Sequence, residues 1–272
     1  MIGAFRELFE IIKTNIRERK ITKALAKIEL KKEYNNSILG VAWAFIRPMV
    51  YVLVFYFATR VGLRGNKHFN GVPQLLWLVP GSFMWFFISN TITHCGKSLI
   101  KNRHLITKMV FPVSTIPVIA VCAEFFVHAI LIFAVILLYG IWGFGLSIYY
   151  LQIVYYLICA FVFCCIIATL ISALSAISRD VSYLMPSVNQ ALFWLSPILW
   201  PLKNIKSHFI KRIVELNPVA YLTEGIRNAF VYHKWFFEQW HYALYFWGLM
   251  LFLALLTSFI WSRTKSEFAD VL

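Results

Sequence analysis

Residues 149–177 read YYLQIVYYLICAFVFCCIIATLISALSAI, a stretch without a single charged side chain. A transmembrane helix needs about 20 mostly apolar residues, because the hydrocarbon layer is roughly 30 Å thick and each helical residue rises about 1.5 Å. This stretch is long enough to cross a bilayer. Over the whole chain of 272 residues, 60% are hydrophobic and 14% are charged, which is more apolar surface than one soluble core buries. The composition therefore predicts an integral membrane protein.

Other stretches meet the same length requirement, at residues 41–62, 72–93, 110–139, 181–202 and 242–261. Together with residues 149–177 they predict an all-α integral membrane protein with six transmembrane helices in a single domain, residues 1–272. An even number of spans places both termini on the same side. Lys and Arg number 16 on that side and 8 on the other, so the positive-inside rule predicts that both termini are cytoplasmic.

The segments between the spans have their own patterns. Residues 1–36 carry apolar side chains at helical spacing among basic ones, which predicts an amphipathic helix in the cytoplasmic membrane interface. Residues 203–241 are too polar to span, and we expect a re-entrant or surface helix pair there. Three prolines predict that the fifth span is kinked or broken, with its freed carbonyls facing protein or a water-filled path: Pro186, Pro197 and Pro201.

Several classes of function are disfavoured. The formal charge of +14 does not indicate nucleic-acid binding, because the basic residues form no continuous patch beside stacking aromatics. The five cysteines have neither a disulfide framework nor metal-ligand spacing. Gly96-Lys97-Ser98 resembles the end of a phosphate-binding loop, but that pattern requires a glycine where Thr91 stands. We therefore expect no catalytic, metal or cofactor residues, and no ATP bound by this chain itself.

Two polar features remain open to interpretation. Residues 94–109 form a basic connection, which is either a cytoplasmic docking helix or an ordinary positively charged loop. Glu124 and His128 lie four residues apart, on one face of the third span, and this spacing predicts that they pair. Such a pair fits a proton relay or an interhelical packing contact.

The order of short motifs along the chain adds a resemblance. The motifs are SILGVAW at 37–43, Arg47-Pro48, KMVFPVSTIP at 108–117, Ser178-Arg179-Asp180, SPILW at 196–200, Leu216-Asn217-Pro218 and FADVL at 268–272. Together they resemble the permease subunits of ABC transporters that export polysaccharides and teichoic acids. Residues 108–117 look most like the teichoic acid translocation permeases, although O-antigen, capsule and rhamnan exporters share much of the pattern.

The resemblance implies a half-transporter in a bacterial plasma membrane. Two copies would form one path for an undecaprenyl-type lipid-linked polymer, most like wall teichoic acid, with O-antigen, capsular or rhamnan polysaccharide as the alternatives. Two separate ATP-binding cassette subunits would bind ATP and Mg and perform the hydrolysis. By the same resemblance, residues 203–241 would be the external gate region, with residues 203–235 matching the gate helices. Residues 94–109 would be the coupling helix, and the contacts with the ATPase would come from Lys97, Leu99, Ile100, Lys101, Arg103, His104, Arg179 and Asp180.

The cargo path also has candidate residues. Aromatic side chains stack on sugar or polyol faces, although the same residues also suit lipid-facing packing. The path-lining candidates are Tyr51, Phe55, Trp77, Trp85, Phe193, Trp194 and Trp200. External cations that would attract a polyanion are Lys203, Lys206, Lys211 and Arg212. The alternatives are an ion-coupled carrier that uses Glu124 and His128, and a membrane enzyme that modifies a lipid-linked glycan.

Overall fold

The computed structural model describes residues 2–34, 37–62, 68–108, 111–265 and 268, and these residues are predominantly helical. The helices are α1 (Ile2–Arg17), α2 (Arg19–Tyr34), α3 (Trp43–Phe57), α4 (Gln74–Thr93), α5 (Ser98–Lys101), α6 (Arg103–Lys108), α7 (Thr115–Ile141), α8 (Leu151–Ile177), α9 (Arg179–Leu195), α10 (His208–Glu215), α11 (Pro218–Arg227) and α12 (Trp240–Thr264). Three features predicted from the sequence extend outside the described residues: the end of the interfacial helix at 35–36, residues 109–110, and residues 269–272 of the terminal motif.

Five helical segments within the described residues are long and apolar enough to cross a membrane. They are Gly40–Val61, Gln74–Lys101, Thr115–Ile141, Ile148–Ile177 and Phe236–Thr264. Each overlaps one of the stretches selected from the sequence by apolar length. The expectation of an all-α, multi-pass membrane protein is confirmed.

Helix α9 occupies the fifth predicted stretch and is shorter than these five segments. Its 17 residues extend about 25 Å at 1.5 Å per residue, which is less than the hydrocarbon thickness. The helix continues through Pro186 and ends at Leu195. Ser196 is extended, as the residue before a proline usually is, so the predicted break lies at Ser196 and Pro197. The sixth membrane crossing stays a prediction.

Helix α4 lies at the centre of the bundle. Of its most apolar stretch 78% is buried, against 17% for the segment that contains α3 and 22% for the segment that contains α12. Helices α3, α7, α8, α9 and α11 all pack against α4. A helix that is apolar all round suits such a position, because every face is covered. Helices α3 and α12 are therefore peripheral.

The N-terminal segment forms two helices in place of the single predicted one. Helix α2 packs along α7, and α1 packs against α12. The Ser258 hydroxyl donates a hydrogen bond to the carbonyl of Ala4 at 2.5 Å, and Lys265 forms an ion pair with Glu7 at 2.6 Å. These contacts place the N-terminus beside the C-terminal end of α12.

A small hairpin that the sequence analysis did not predict precedes α4. Its strands are β1 (His68–Phe69) and β2 (Val72–Pro73), which pair antiparallel. The turn residues Asn70 and Gly71 have φ angles of 53° and 79°, which fits a type I′ turn. The Asn70 side-chain amide donates to the carbonyl of Val231 at 2.7 Å. This bond ties the hairpin to the segment 203–241, where α10 and α11 lie.

Candidate functional site

Arg227, the last residue of α11, is the central polar contact at the end of the bundle near the hairpin. Its side chain is fully buried. One terminal nitrogen donates to the carbonyl of Pro197 at 2.5 Å and to the Glu224 carboxylate at 2.7 Å, and the other donates to the carbonyl of Ile198 at 2.5 Å. The guanidinium carbon lies 3.7 Å from the ring centroid of Trp77. A buried charge is tolerated only when it is paired in this way, and here the pairing joins α11, α4 and the end of α9.

Gly81 on α4 makes room for this guanidinium. A Cβ atom at this position would lie 2.5 Å from a terminal nitrogen of Arg227, so a larger residue cannot be added without moving the arginine. Sequence reasoning missed Arg227 because the arginine entered only the count of eight basic residues on the side opposite the termini. The sequence did contain an indication of this contact, because Glu224 and Arg227 lie three residues apart in a helix whose other face is apolar.

Two of the short motifs meet beside this contact. Asn217 caps α11, since its side-chain oxygen accepts from the backbone amide of Val219 at 3.0 Å. The same side chain donates to the Ser196 hydroxyl at 2.8 Å. The Leu216-Asn217-Pro218 and 196–200 motifs are therefore in contact, although 21 positions separate Asn217 from Ser196 in sequence.

A polar cleft of about 480 Å³ lies between the hairpin, α10, α11 and the start of α12. It is lined by Asn70, Tyr156, Pro201, Leu202, Lys203, Lys211, Glu215, Ala220, Tyr221, Glu224, Gly225, Asn228, Tyr232, Lys234, Gln239 and Tyr242. Amide, carboxylate and phenol groups of this kind bind hydroxyl-rich ligands through hydrogen bonds, and tyrosine rings stack on sugar faces.

The cleft is mixed in charge. Of the four cations predicted to attract a polyanion, Lys203 and Lys211 line the cleft, whereas Lys206 and Arg212 are exposed outside it. Lys211 pairs with Glu215 at 3.8 Å. Burial raises the pKa of the Glu224 carboxyl, and the adjacent Arg227 opposes that shift. The lining therefore offers both cations and carboxylates.

An aromatic cluster joins three helices away from the cleft. It comprises Tyr51 and Phe55 on α3, Trp85 and Phe86 on α4, and Phe193 and Trp194 on α9. The Phe193 ring is at its centre, 5.3 Å from Phe55, 5.6 Å from Trp85 and 5.3 Å from Trp194 between centroids. Five of the seven path-lining candidates belong to this cluster. Tyr51 is 54% exposed and Trp194 60%, so the cluster presents its open side on α3 and α9.

The tryptophans on α4 do not have this exposure. Trp85 is 4% exposed beneath the cluster, and Trp77 is 1% exposed beneath Arg227. Trp77 stacks on Phe69 at 4.4 Å and donates its indole N–H to the Tyr232 hydroxyl at 2.9 Å. The faces of both tryptophans are thus covered within the subunit and are not available to a cargo in this structure. Trp200 is half-buried after α9 and lies outside the cluster.

The predicted pairing of Glu124 with His128 is wrong. Asn90 donates to the Glu124 carboxylate at 2.9 Å, and a ring nitrogen of His94 lies 3.9 Å from it. His128 instead stacks on Phe87 with 4.8 Å between ring centroids. Spacing of four residues put both side chains on one face, but α4 offers Glu124 two polar partners and offers His128 an aromatic ring. This arrangement favours interhelical packing over a proton relay.

The predicted coupling helix is divided into three short pieces. A 3-10 turn at Cys95–Lys97 leads into α5 and then α6. Lys97, Lys101, Arg103 and His104 are exposed and Ile100 is half-buried. Lys101 forms an ion pair with Glu29 of α2 at 2.7 Å, which connects this segment to the N-terminal helices.

Leu99 differs from the other coupling candidates because it is fully buried. It packs in a cluster with Ile116, Ala173, Ala176, Trp261 and Phe268. Its role is therefore to anchor the segment to α7, α8 and α12, and its side chain is not accessible to another protein.

The glycine of the false phosphate-binding motif has a packing role. A Cβ atom on Gly96 would lie 2.6 Å from a methyl carbon of Ile171 on α8. The absence of a side chain lets the 3-10 turn pack closely on α8. Arg179 and Asp180, the other coupling candidates, are exposed directly after the end of α8. The divided segment and this turn thus share one end of the bundle.

Similarity to known proteins extends over most of the chain. Residues 21–231 match the family model described as ABC-2 type transporter. An O-antigen export system permease protein RfbA from Klebsiella pneumoniae is 26% identical over 255 residues, which cover 90% of this chain and 92% of the relative. The protein of the same name from Myxococcus xanthus is 24% identical over 239 residues, 86% of each chain. Because the family model spans well over half of the sequence, the chain belongs to the ABC-2 type transporter family.

Proposed function

We propose that this chain is the membrane-spanning subunit of an ATP-driven exporter of a lipid-linked polysaccharide of the O-antigen type. The observation that carries the proposal is the near full-length similarity to permeases named for O-antigen export. This puts the O-antigen interpretation, an alternative in the sequence analysis, ahead of wall teichoic acid. Capsular and rhamnan polysaccharides remain in the same chemical class.

The charge of the cleft supports a sugar polymer over a polyphosphate. Glu215 and Glu224 lie in the same lining as Lys203, Lys211 and Lys234, so the surface is not uniformly cationic. A polyphosphate would meet repulsion at each carboxylate, whereas a neutral sugar would find donors and acceptors at both kinds of side chain.

The path itself requires a second copy of the chain. A long polar polymer cannot cross hydrocarbon, so it needs a path shielded from lipid. Within the described residues, Ser182 is the only buried residue of α9, and only 17% of the most apolar stretch of the α3 segment is buried. We place the homodimer contact and the path along α3 and α9, where the aromatic cluster is exposed. Tyr51 and Trp194 would then stack on passing sugar rings.

The energy source would be a separate ATP-binding cassette subunit that binds ATP and Mg. Its docking surface would comprise the exposed residues of the divided segment, Lys97, Arg103 and His104, with Arg179 and Asp180. This surface would face the cytoplasm of a bacterial plasma membrane, with both termini on the same side and α10 and α11 as external helices.

The central test is purification of the chain with the ATP-binding subunit that accompanies it, followed by reconstitution in vesicles. We expect ATP hydrolysis to rise when a neutral lipid-linked polysaccharide is supplied. Stimulation by a polyol-phosphate polymer alone would overturn the cargo class. The absence of any accompanying ATP-binding subunit would overturn the exporter assignment.

Neutralising the external cations separates the two cargo classes directly. The combined change Lys203→Gln, Lys206→Gln, Lys211→Gln and Arg212→Gln should reduce export of a neutral polysaccharide by less than about twofold, because exposed charges contribute little to binding an uncharged ligand. Export of a polyanion should fall about tenfold or more, since its attraction to the cleft is electrostatic. The readout is polymer accessible at the cell surface. Strong loss of neutral polysaccharide export would contradict the assignment.

Chemical cross-linking tests the placement of the second copy. Trp194→Cys, in a chain whose own cysteines are replaced by alanine, should give a covalent dimer with a short bifunctional thiol reagent. Leu244→Cys on α12 is the control, because Leu244 is 66% exposed but lies on another face of the bundle. Equal dimer yield from both variants would place the contact elsewhere.

A further inference from the structure

A large apolar groove lies on the side of the bundle formed by the N-terminal helices, α7, α8 and α12. Its volume is about 750 Å³, within the range of small-molecule sites. The walls are mainly aliphatic and aromatic, and include Ile12, Ile16, Phe161, Ile166, Met250 and Ala254. The groove is separate from the cleft and from the aromatic cluster, and the proposed transport path does not use it.

The length of the groove matches one leaflet of a bilayer. Along α12 it extends from Trp247 to Ser258, which is about 16 Å at 1.5 Å per residue. Half of the hydrocarbon layer is about 15 Å thick. Ser258 contacts Ala4 of α1, so the groove is closed at the side of the termini and extends from there toward the bilayer centre.

Two cations lie in the lining. They are Arg19 and Lys23, both from α2, and no acidic residue of the described chain belongs to the lining. The neighbouring Glu18 pairs with Arg17, at 2.9 Å. The groove therefore combines an apolar body with two positively charged side chains, which complements a lipid that carries a negative headgroup.

Polar atoms without partners lie in the same lining. Within the described residues, the hydroxyls of Thr22 and Thr257 and the side-chain oxygen of Asn15 are buried and have no hydrogen-bond partner. Thr22 and Thr257 are each only 5% exposed. Buried polar groups in native proteins are normally satisfied. Two hydroxyl donors and one amide oxygen acceptor match a ligand that has phosphate or ester oxygens and a hydroxyl group.

We propose that this groove binds one anionic glycerophospholipid, of the phosphatidylglycerol type, from the leaflet on the side of the termini. The acyl chains occupy the apolar body and the phosphate lies between Arg19 and Lys23. Thr22 and Thr257 donate to phosphate or ester oxygens, and Asn15 accepts from a headgroup hydroxyl. An undecaprenyl phosphate fits less well because it has neither carboxylic ester groups nor a glycerol hydroxyl. The bound lipid joins the N-terminal helices to α8 and α12.

The test uses the full chain with its ATP-binding subunit, stripped of lipid in detergent. Thermal unfolding is followed after adding phosphatidylglycerol, phosphatidylcholine or undecaprenyl phosphate, and retained lipid is identified by native mass spectrometry. We expect phosphatidylglycerol to raise the melting temperature most and one molecule per chain to be retained. An equal shift with phosphatidylcholine, or preferential retention of undecaprenyl phosphate, would overturn the proposal.

Variants locate the effect in the groove. The double change Arg19→Gln and Lys23→Gln should abolish the extra shift given by phosphatidylglycerol. Lys20→Gln with Lys27→Gln removes two exposed charges of the same helix outside the lining and should keep it. Thr22→Val with Thr257→Val should fold without lipid at least as well as the parent and yet lose part of the shift. If both groove variants kept the full melting-temperature shift with phosphatidylglycerol, the proposed lipid site would be contradicted. This outcome does not depend on which polymer the transporter exports.

Discussion

Arg227→Met is expected to lower the free energy of unfolding by about 3–5 kcal/mol, because it leaves a buried carboxylate and two carbonyls without their partner. The lost bonds are those to the Glu224 carboxylate and to the carbonyls of Pro197, Ile198 and Trp77, the last of which also accepts within α4. Denaturant or thermal unfolding in detergent measures the change, and export of the polymer should be lost with it. Arg212→Met removes an exposed charge from the neighbouring helix and should change stability by no more than about 0.5 kcal/mol.

Two companion variants separate charge from packing. Adding Glu224→Gln to Arg227→Met should recover part of the loss, since the uncompensated carboxylate is then gone. Arg227→Lys should remain destabilised, because an ammonium group cannot reach two carbonyls and a carboxylate with a planar fork. A double variant no more stable than Arg227→Met would contradict the assigned ion pair.

The pH dependence of the Arg227→Met variant follows from the same contact. Burial raises the pKa of Glu224, and the loss of the arginine removes the group that opposes this shift. A carboxyl whose pKa is higher in the folded than in the unfolded state binds more protons when folded. The variant should therefore lose stability as pH rises from the unfolded-state pKa toward the raised folded value. Unfolding midpoints measured between mildly acidic and neutral pH provide the check.

Leu99→Ala is expected to cost about 2–5 kcal/mol, the usual range for truncating a fully buried leucine. Leu99 anchors the divided segment against Ala173 and Trp261, so its truncation should also loosen the proposed ATPase contact. Unfolding in detergent measures the first effect, and polymer-stimulated ATP hydrolysis measures the second. Lys97→Ala changes an exposed neighbour and should leave stability nearly unchanged while it weakens coupling. Equal stability of both variants would show that Leu99 is not a packing anchor.

The long helices were predictable because an apolar stretch must reach a minimum length to cross the hydrocarbon layer. Residues 149–177 contain no charge, and the structure places a helical segment over Ile148–Ile177. The end of α9 was harder to predict. The apolar residues continue past Leu195, but the chain becomes extended there because Ser196 precedes a proline. The hairpin was missed because two-residue strands have no periodicity, although Asn70-Gly71 is a typical type I′ turn sequence.

The side-chain contacts were less predictable, because spacing along one helix does not identify the residues on the next. Glu124 and His128 share a face of α7, but Asn90 and Phe87 on α4 decide what each one contacts. Arg227 counted only as one of the eight basic residues on the side opposite the termini, whereas the structure buries its side chain at the end of α11. The sequence analysis also ranked wall teichoic acid first, from a motif that related exporters share, whereas the relatives that match over nearly their full length are named for O-antigen export.

The arginine contact also restricts how the end of the bundle near the hairpin can move. If α11 moved alone, a guanidinium, a carboxylate and two carbonyls would lose their hydrogen-bond partners in a nonpolar environment. The free-energy cost of this loss is well above thermal energy. Helix α11, the segment after α9 and the upper part of α4 therefore behave as one rigid body. In the homodimer proposed above, this end would widen through relative displacement of whole protomers, because a hinge at the base of α11 would break the arginine contact.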